Sequence, residues 1–490
     1  MYSVLPFPGS PVLEKPRLPG RVLQLIEGPS RSIRLIEPAP GQSACYFALS
    51  HRWGTSKKLL LTRETLKSLQ DGIPVRSLPG TYRDAVQVTG QFGCSFLWID
   101  SLCIFQDDID AWLAESTKMA DIFRQATCVI AAHSANDDNE GFLSANWLSP
   151  KRTGATPNYA GFHECVNESN LSKRGWVFQE RILARRLLHF TDRGLFLEDA
   201  SGIKTVAREG LICPPGASLI DNKLNVEDAS HSPTQWYRLI ERYSHCELTW
   251  DIDRLPAIAG LARAFGELTS CGRFLFGLWS ESIHFGLLWR QTSTDTIEMR
   301  DAYRSGWRCP TWSWGAWKGS VHFPPHLARL QSSVRLVQDK LPTPDIMTLE
   351  NPGLQSPTLA MFCKVRSLRD VQITYDSNIE ETGKSTKKAC WLVSEEPVVA
   401  GLVYVDGISQ GDKRTFDEIG LLLVAFDRDE KHVVVEDGEA DGIKTITSLT
   451  YYYLIVEAVS IGRVYRRIGT GTRSGSDIWR WTCSRMVHLV

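Results

Sequence analysis

Between Phe96 and Ala126 the chain reads FLWIDSLCIFQDDIDAWLAESTKMADIFRQA: a short apolar run, a polar loop carrying Cys103, then a segment with helical spacing. That order sets reactive side chains at the carboxyl end of a strand, where open α/β sheets form their sites. At about 100° per residue, Trp112, Met119, Ile122, Phe123 and Ala126 share one side of the helix, while Thr117, Lys118, Asp121, Arg124 and Gln125 share the other. Glu115 falls with the apolar group. A carboxylate there either meets a buried Arg or Lys or has its proton affinity raised by desolvation. Both a structural ion pair and a functional carboxylate fit that phase. Cys103, with His51 and Asp100 as candidate neighbours, offers a second chemistry, in which a thiolate activated by imidazole attacks an acyl or similar centre. Its plain alternative is a buried, inert thiol.

The elements that must position these groups follow from pattern. IRLIE and CYFALS read as strands, TRETLKSLQ and TYRDAVQVTGQF as helices, FLWID as a strand, and CVIAAHS as a strand after the Trp112 helix. Strands alternating with helices predict a mainly parallel sheet with right-handed crossovers. Three strands end in polar residues, namely Ser50 and His51, Asp100 and Ser101, and His133 and Ser134. Parallel neighbours would bring these to one edge. SANDDNEG and SPKRTGATPN read as loops, and SKRGWVFQERILARRLLHFTDRGLFLE as a short helix followed by a hairpin turning at Asp192 to Gly194. Within it Arg174, Gln179, Glu180, Arg181, Arg185 and Arg186 form a dense polar cluster. Its arginines either clamp a pyrophosphate or carboxylate or pair with Asp100, Asp107, Asp108 and Glu115.

A mixed, mainly helical region runs from PTQWYRLIERYSH to SIHFGLLWR. Beyond RCPTWSWGAW, short apolar runs such as LLLVAF and HVVVE predict a β-rich carboxyl-terminal region. The boundaries read as an extended segment at 1–30, an α/β domain at 31–200, a mixed region at 201–325 and the β-rich region at 326–490. RIGTGTRSG at 467–475 lacks the Gly-Lys-Ser/Thr ending of a phosphate loop and reads as a hairpin turn.

Composition narrows the function classes. With 490 residues, length alone suggests about two or three domains. The 43% hydrophobic and 23% charged content is that of a folded globular chain, which excludes disorder as the theme. A net charge of −1 supplies no global field for nucleic acid or an anionic membrane. The opening MYSVLPFPGSPVLEKPRLPG has prolines and a glutamate where a signal peptide needs an apolar core, and no later stretch approaches about 18 apolar residues. A cytoplasmic protein without a membrane span is expected. The 12 cysteines lack CxxC or Cys/His ligand spacing, so neither a metal site nor a disulfide scaffold is predicted. The sequons at Asn167 and Asn170 are then chance matches.

Three blocks resemble the fungal heterokaryon-incompatibility family, the HET domain: YFALSHRWG at 46–54, LWIDSLCIFQDDIDAWLAESTKMADIF at 97–123 and RGWVFQERILARRLLHF at 174–190. YSHCELTWDIDRLPAIAGLA, GLWSESIHFGLLW and CPTWSWGAW are similar to stretches that follow the domain in full-length members. The resemblance implies non-self recognition between fungal strains with cell death as output, and a distant relation to the TIR domain, a flavodoxin-like α/β fold. ALSHRWG resembles the first TIR strand and loop. Trp112 to Glu115 has the spacing of the TIR Trp-Cys-x-x-Glu motif, with Leu113 where that motif has Cys. In enzymatic TIR domains that Glu cleaves NAD, which implies a catalytic Glu115.

Cleavage of the nicotinamide–ribose bond passes through an oxocarbenium-like state and expels a neutral base, so one carboxylate near the ribose is sufficient. Ser50, His51 and Arg52 would contact phosphate or ribose, with Trp53 stacking on a ring or serving as plain core. Trp112, Arg174 and Arg181 complete the candidate substrate contacts. No cofactor is required in this reading; NAD enters as substrate. The expected partners are further copies of the chain or other incompatibility proteins. Two alternatives stay open: a small-molecule metabolic enzyme using the same pocket through Glu115 or Cys103 with His51, and a non-catalytic interaction module.

Overall fold

The computed structural model describes residues 15–28, 30–55, 58–143, 159–207, 210–212, 233–291, 309–324, 327–337, 358–375, 390–393, 402–405, 413–437, 440–460, 464–474, 479, 482 and 484–490. The loop read over 149–158 lies outside them. The chain divides into two compact units, one of Met1–Asp228 with Cys246–Leu248 and Pro256–Arg263, the other of Ala229–His245, Thr249–Leu255 and Ala264–Val490.

The first unit is built on a ten-stranded sheet. Its strands are β1 (Val22–Ile26), β2 (Ser32–Ile36), β3 (Phe47–Ser50), β4 (Ile73–Pro74), β5 (Phe96–Trp98), β6 (Cys128–Ala132), β7 (Arg186–Thr191), β8 (Gly194–Asp199), β9 (Gly202–Ala207) and β10 (Gly210–Ile212). The spatial order is β10-β9-β8-β7-β6-β3-β5-β1-β2-β4. The four central strands β7, β6, β3 and β5 are parallel. β3 and β6 are buried along their whole length, as strands covered on both faces must be, and CVIAA accordingly shows no alternation. The parallel arrangement read from the sequence therefore holds at the centre. Both flanks add antiparallel strands: β5 pairs with β1, β1 with β2 and β2 with β4, while β7, β8, β9 and β10 form a meander. β1 enters the sheet ahead of Arg31, so the sheet begins inside the segment expected to be merely extended. The β7–β8 hairpin closes where expected, with Thr191 opposite Gly194.

Among the described residues, α1 (Leu66–Asp71), α2 (Gly80–Gln91), α3 (Asp100–Cys103), α4 (Ile109–Gln125), α5 (Tyr159–Phe162) and α6 (Gly175–Leu183) accompany these strands. α4 starts where Asp108 accepts a hydrogen bond from the Ala111 amide at 3.0 Å, satisfying one orphan donor of the first turn. Its Met119, Ile122 and Phe123 are buried, and Phe123 meets Trp98 edge-on at 5.5 Å. α2 starts against the loop that follows β6. A Cβ on Gly80 would lie 2.4 Å from the Asn139 carbonyl oxygen, so glycine is what lets the Thr81 amide reach the Asp138 carbonyl at 2.8 Å.

In the second unit, α7 (Pro233–Ser244) carries Trp236, Tyr237, Leu239, Ile240 and Tyr243 as its buried side. A nine-stranded sheet forms the β-rich part, with long strands at Leu359–Tyr375, Lys413–Asp437, Ala440–Ser460 and Val464–Ser474. The last of these corrects the hairpin turn expected at RIGTGTRSG. Arg467–Ser474 is continuous strand, and Gly471 lies opposite Tyr453, whose ring would sit 2.5 Å from any Cβ placed there. The glycine makes room for a cross-strand aromatic, a demand that sequence alone does not separate from a turn. No helix among the described residues is long and apolar enough to cross a membrane.

Candidate functional site

The carboxyl ends of β3, β5 and β6 bring their terminal polar residues together, and α6 adds one more. Ser50, last residue of β3, donates its hydroxyl hydrogen bond to Glu180 of α6 at 2.5 Å. His51 follows, with Nε2 3.2 Å from Asp138 Oδ1 and Nδ1 4.0 Å from Asp100 Oδ1. The shorter contact lacks hydrogen-bond alignment, so the two buried side chains touch without forming a bonded dyad. Tyr82 of α2 stands edge-on to His51 at 5.4 Å and binds Ser101 Oγ at 2.8 Å and Asp138 Oδ2 at 3.1 Å. Burial and the nearby Asp138 push the Tyr82 phenol up, so it stays protonated and donates. Arg174, just before α6, donates to the His51 carbonyl.

Asp100 opens α3, and its carboxylate is held by two N–H groups, the Ser101 amide at 2.7 Å and the Trp53 indole at 3.0 Å. Its side chain is 23% exposed, against 1% for His51. Asp100 is thus the carboxylate of this cluster that solvent or a ligand can reach. Glu180, 7% exposed, lies behind it. Burial raises the Glu180 carboxyl to about 7, the negative charge of Asp100 adds to the rise, and the Ser50 hydroxyl, Arg174 and His51 oppose it. One outer carboxylate oriented by two N–H groups, with an inner one raised to about 7 by burial, gives two carboxyl groups in different environments, as acid–base chemistry uses.

The remaining sequence candidates fall in three places. Arg52 reaches Asn136 Oδ1 at 3.0 Å, which also accepts from Asn170, and Lys58 lies 5.0 Å over the Trp53 ring, so both border the same edge. Glu115 lies on another network: Lys118 approaches it at 2.9 Å and Arg21 at 3.7 Å, with its side chain 15% exposed. Trp112 is near it in sequence and packs edge-on against Trp176 at 5.9 Å. Cys103 is buried, accepts the Arg21 guanidinium on its carbonyl at 2.9 Å, and has its thiol pushed up to about 12 by burial, which leaves negligible thiolate at neutral pH. Arg181 turns from the strand edge to Glu198 at 2.9 Å.

Glu180, Asp138 and Tyr82 carry much of the site; the sequence reading placed Glu180 in a polar cluster without giving it a role of its own and named neither Asp138 nor Tyr82. Glu180 had one signal: Gln179, Glu180 and Arg181 form a polar run inside a nine-residue helix bounded by apolar residues, and all three are buried. Among the described residues no group of three or more His, Cys, Asp or Glu is arranged to hold a metal ion. No curated protein and no solved structure matches the chain. Residues 46–180, which begin just ahead of β3 and end on Glu180, match the family model described as Heterokaryon incompatibility protein (HET), and this part of the chain is a HET domain.

Proposed function

We propose that the protein acts in fungal heterokaryon incompatibility and that its HET domain signals by cleaving the N-glycosidic bond of NAD at the edge formed by β3, β5 and β6. The parallel strands β3, β5, β6 and β7 stand in the order 2-1-3-4 of their chain sequence, the flavodoxin-like order, which supports the TIR-like reading of the fold. Ligands of such sheets bind outside the carboxyl ends of the strands where the order reverses, here between β3 and β6. The observation that carries the chemistry is the pair formed by an exposed, doubly hydrogen-bonded Asp100 and a buried Glu180 raised to about 7.

In this reading Asp100 faces the ribose and stabilises the positive charge that grows as neutral nicotinamide leaves. Water then bonds to the anomeric carbon. Its proton passes to the Ser50 oxygen as the Ser50 proton passes to ionised Glu180, so ADP-ribose, nicotinamide and one proton result. Trp53 and Arg52 would border the bound nucleotide. Glu115, the residue marked by TIR-like spacing, is instead occupied by Lys118 and Arg21. The protein would work in the cytoplasm, with self-association bringing domains together.

Nicotinamide release from NAD by the purified chain tests the proposal. Wild type should turn NAD over, with the rate rising as pH passes through about 7 and Glu180 ionises. Glu180→Gln should lower the rate about a hundredfold, the usual worth of a positioned base. Absence of nicotinamide from wild type at high protein concentration would leave the second reading, a catalytically silent interaction module, which the ion pairing of Glu115 favours.

A further inference from the structure

A second buried polar chain lies under the same helix. Arg181, beside Glu180 on α6, donates through Nε to Glu198 Oε2 at 2.9 Å, and His189 Nε2 lies 2.9 Å from that oxygen. His189 Nδ1 is 2.9 Å from His133 Nε2, and His133 Nδ1 is 2.7 Å from Ser169 Oγ. Arg181 also donates through Nη1 to Asn167 at 2.8 Å and stacks over Phe162 at 5.5 Å. Asn167 ends a π-helical turn, His163–Asn167, a type of distortion that recurs at functional sites.

At one end of the chain Glu198 Oε2 accepts from the Arg181 guanidinium; at the other the Ser169 hydroxyl donates to the Val166 carbonyl at 2.9 Å, so its oxygen meets His133 Nδ1 as an acceptor. Burial, with His189 and Arg181 nearby, pushes the His133 imidazole well below its ordinary value and toward the neutral form. Sheet register ties this chain to the candidate site. Ser50, Ala131 and His189 are successive partners across β3, β6 and β7 and share one face. α6 lies across that row: Glu180 bonds Ser50, Val177 packs with Ala131, and Arg181 holds Glu198 beside His189.

We propose that Arg181, Glu198, His189 and His133 are positioning residues for Glu180, fastening α6 to β7 and β8 so that the Glu180 carboxyl stays dry and on Ser50. Adjacent helical residues are separated by about 1.5 Å of rise, so loosening Arg181 moves Glu180 with it. The inference rests on the reading of Glu180 as the acid–base group.

The test follows the Glu180 carboxyl by NMR titration of the full chain carrying labelled glutamate, assigned with Glu180→Gln. In the double variant Arg181→Met/Glu198→Leu both charges go together, so neither is left buried and unpaired and their direct effects on Glu180 offset. Its Glu180 midpoint should fall from about 7 by about one pH unit or more, because water reaches the carboxyl. Ser169→Ala, which removes only the far end of the chain, should give a smaller fall in a protein that melts like wild type. An unchanged midpoint in the folded double variant overturns the proposal, and should that variant fail to fold, an unchanged midpoint in both Ser169→Ala and His133→Gln overturns it. Neither readout uses NAD, so failure here and failure of NAD cleavage are separate results.

Discussion

Asp100→Asn is expected to lower nicotinamide release about a hundred- to a thousand-fold, the loss seen when one preorganised electrostatic contact is taken from a developing charge. The Ser101 amide bonds one carboxylate oxygen at 2.7 Å and the Trp53 indole the other at 3.0 Å, so the single asparagine oxygen keeps one of these bonds and loses the other together with the charge. Glu115→Gln gives the contrast. Its native partners are Lys118, 58% exposed, and the more distant Arg21, and pairs so placed contribute about 0–1 kcal/mol. Its activity should stay within about fivefold of wild type. Steady-state assays of the two variants at equal folded concentration check both expectations. A reversal, with Glu115→Gln dead and Asp100→Asn active, would move the chemistry to α4.

Glu180→Gln carries the second large expectation, on stability. Burial lifts the Glu180 carboxyl from its ordinary 4.5 to about 7. Between those pH values the folded chain binds a proton that the unfolded chain has released. Its contribution is therefore fully present below about 4.5 and is lost as pH rises through about 7. At about 1.4 kcal/mol for each pH unit, wild type should lose about 3 kcal/mol from this group over that interval. Glu180→Gln keeps a neutral hydrogen-bonding side chain against Ser50 and should lack that loss. Denaturant unfolding of both proteins at pH 4.5, 5.5, 6.5 and 7.5 measures it, and equal slopes would mean that Glu180 titrates as an ordinary carboxyl.

How much of this was legible in the sequence depends on whether a role is local. The strand ends were local: FALS followed by His51, and FLWI followed by Asp100, announced polar residues at one edge, and the four parallel strands bring them there. The short helix at α6 and the turn at Asp192 were legible for the same reason. Helical phase placed Glu115 with Trp112 and Met119, yet Lys118, one turn along the helix, and Arg21, just ahead of β1, reach that carboxylate. Phase describes one helix and knows nothing of what arrives from elsewhere. Glu180 shows the opposite failure. It sat in a polar cluster whose arginines were read as clamping an anion or pairing with Asp100, Asp107, Asp108 and Glu115, and its role arises because α6 lies over Ser50, 130 positions away in sequence. The antiparallel flanks and the strand through Gly469 and Gly471 were hidden likewise, since pairing direction and cross-strand aromatics are tertiary facts.

The location of the site is open to direct observation through Trp53, whose indole N–H is bonded to Asp100. The measurement is the indole resonance of Trp53, assigned with Trp53→Phe, as NAD is titrated into labelled Glu180→Gln protein that turns over slowly. A saturable shift of that resonance is the predicted result. A Trp53 resonance that stays fixed while Trp112 on α4 shifts would contradict it.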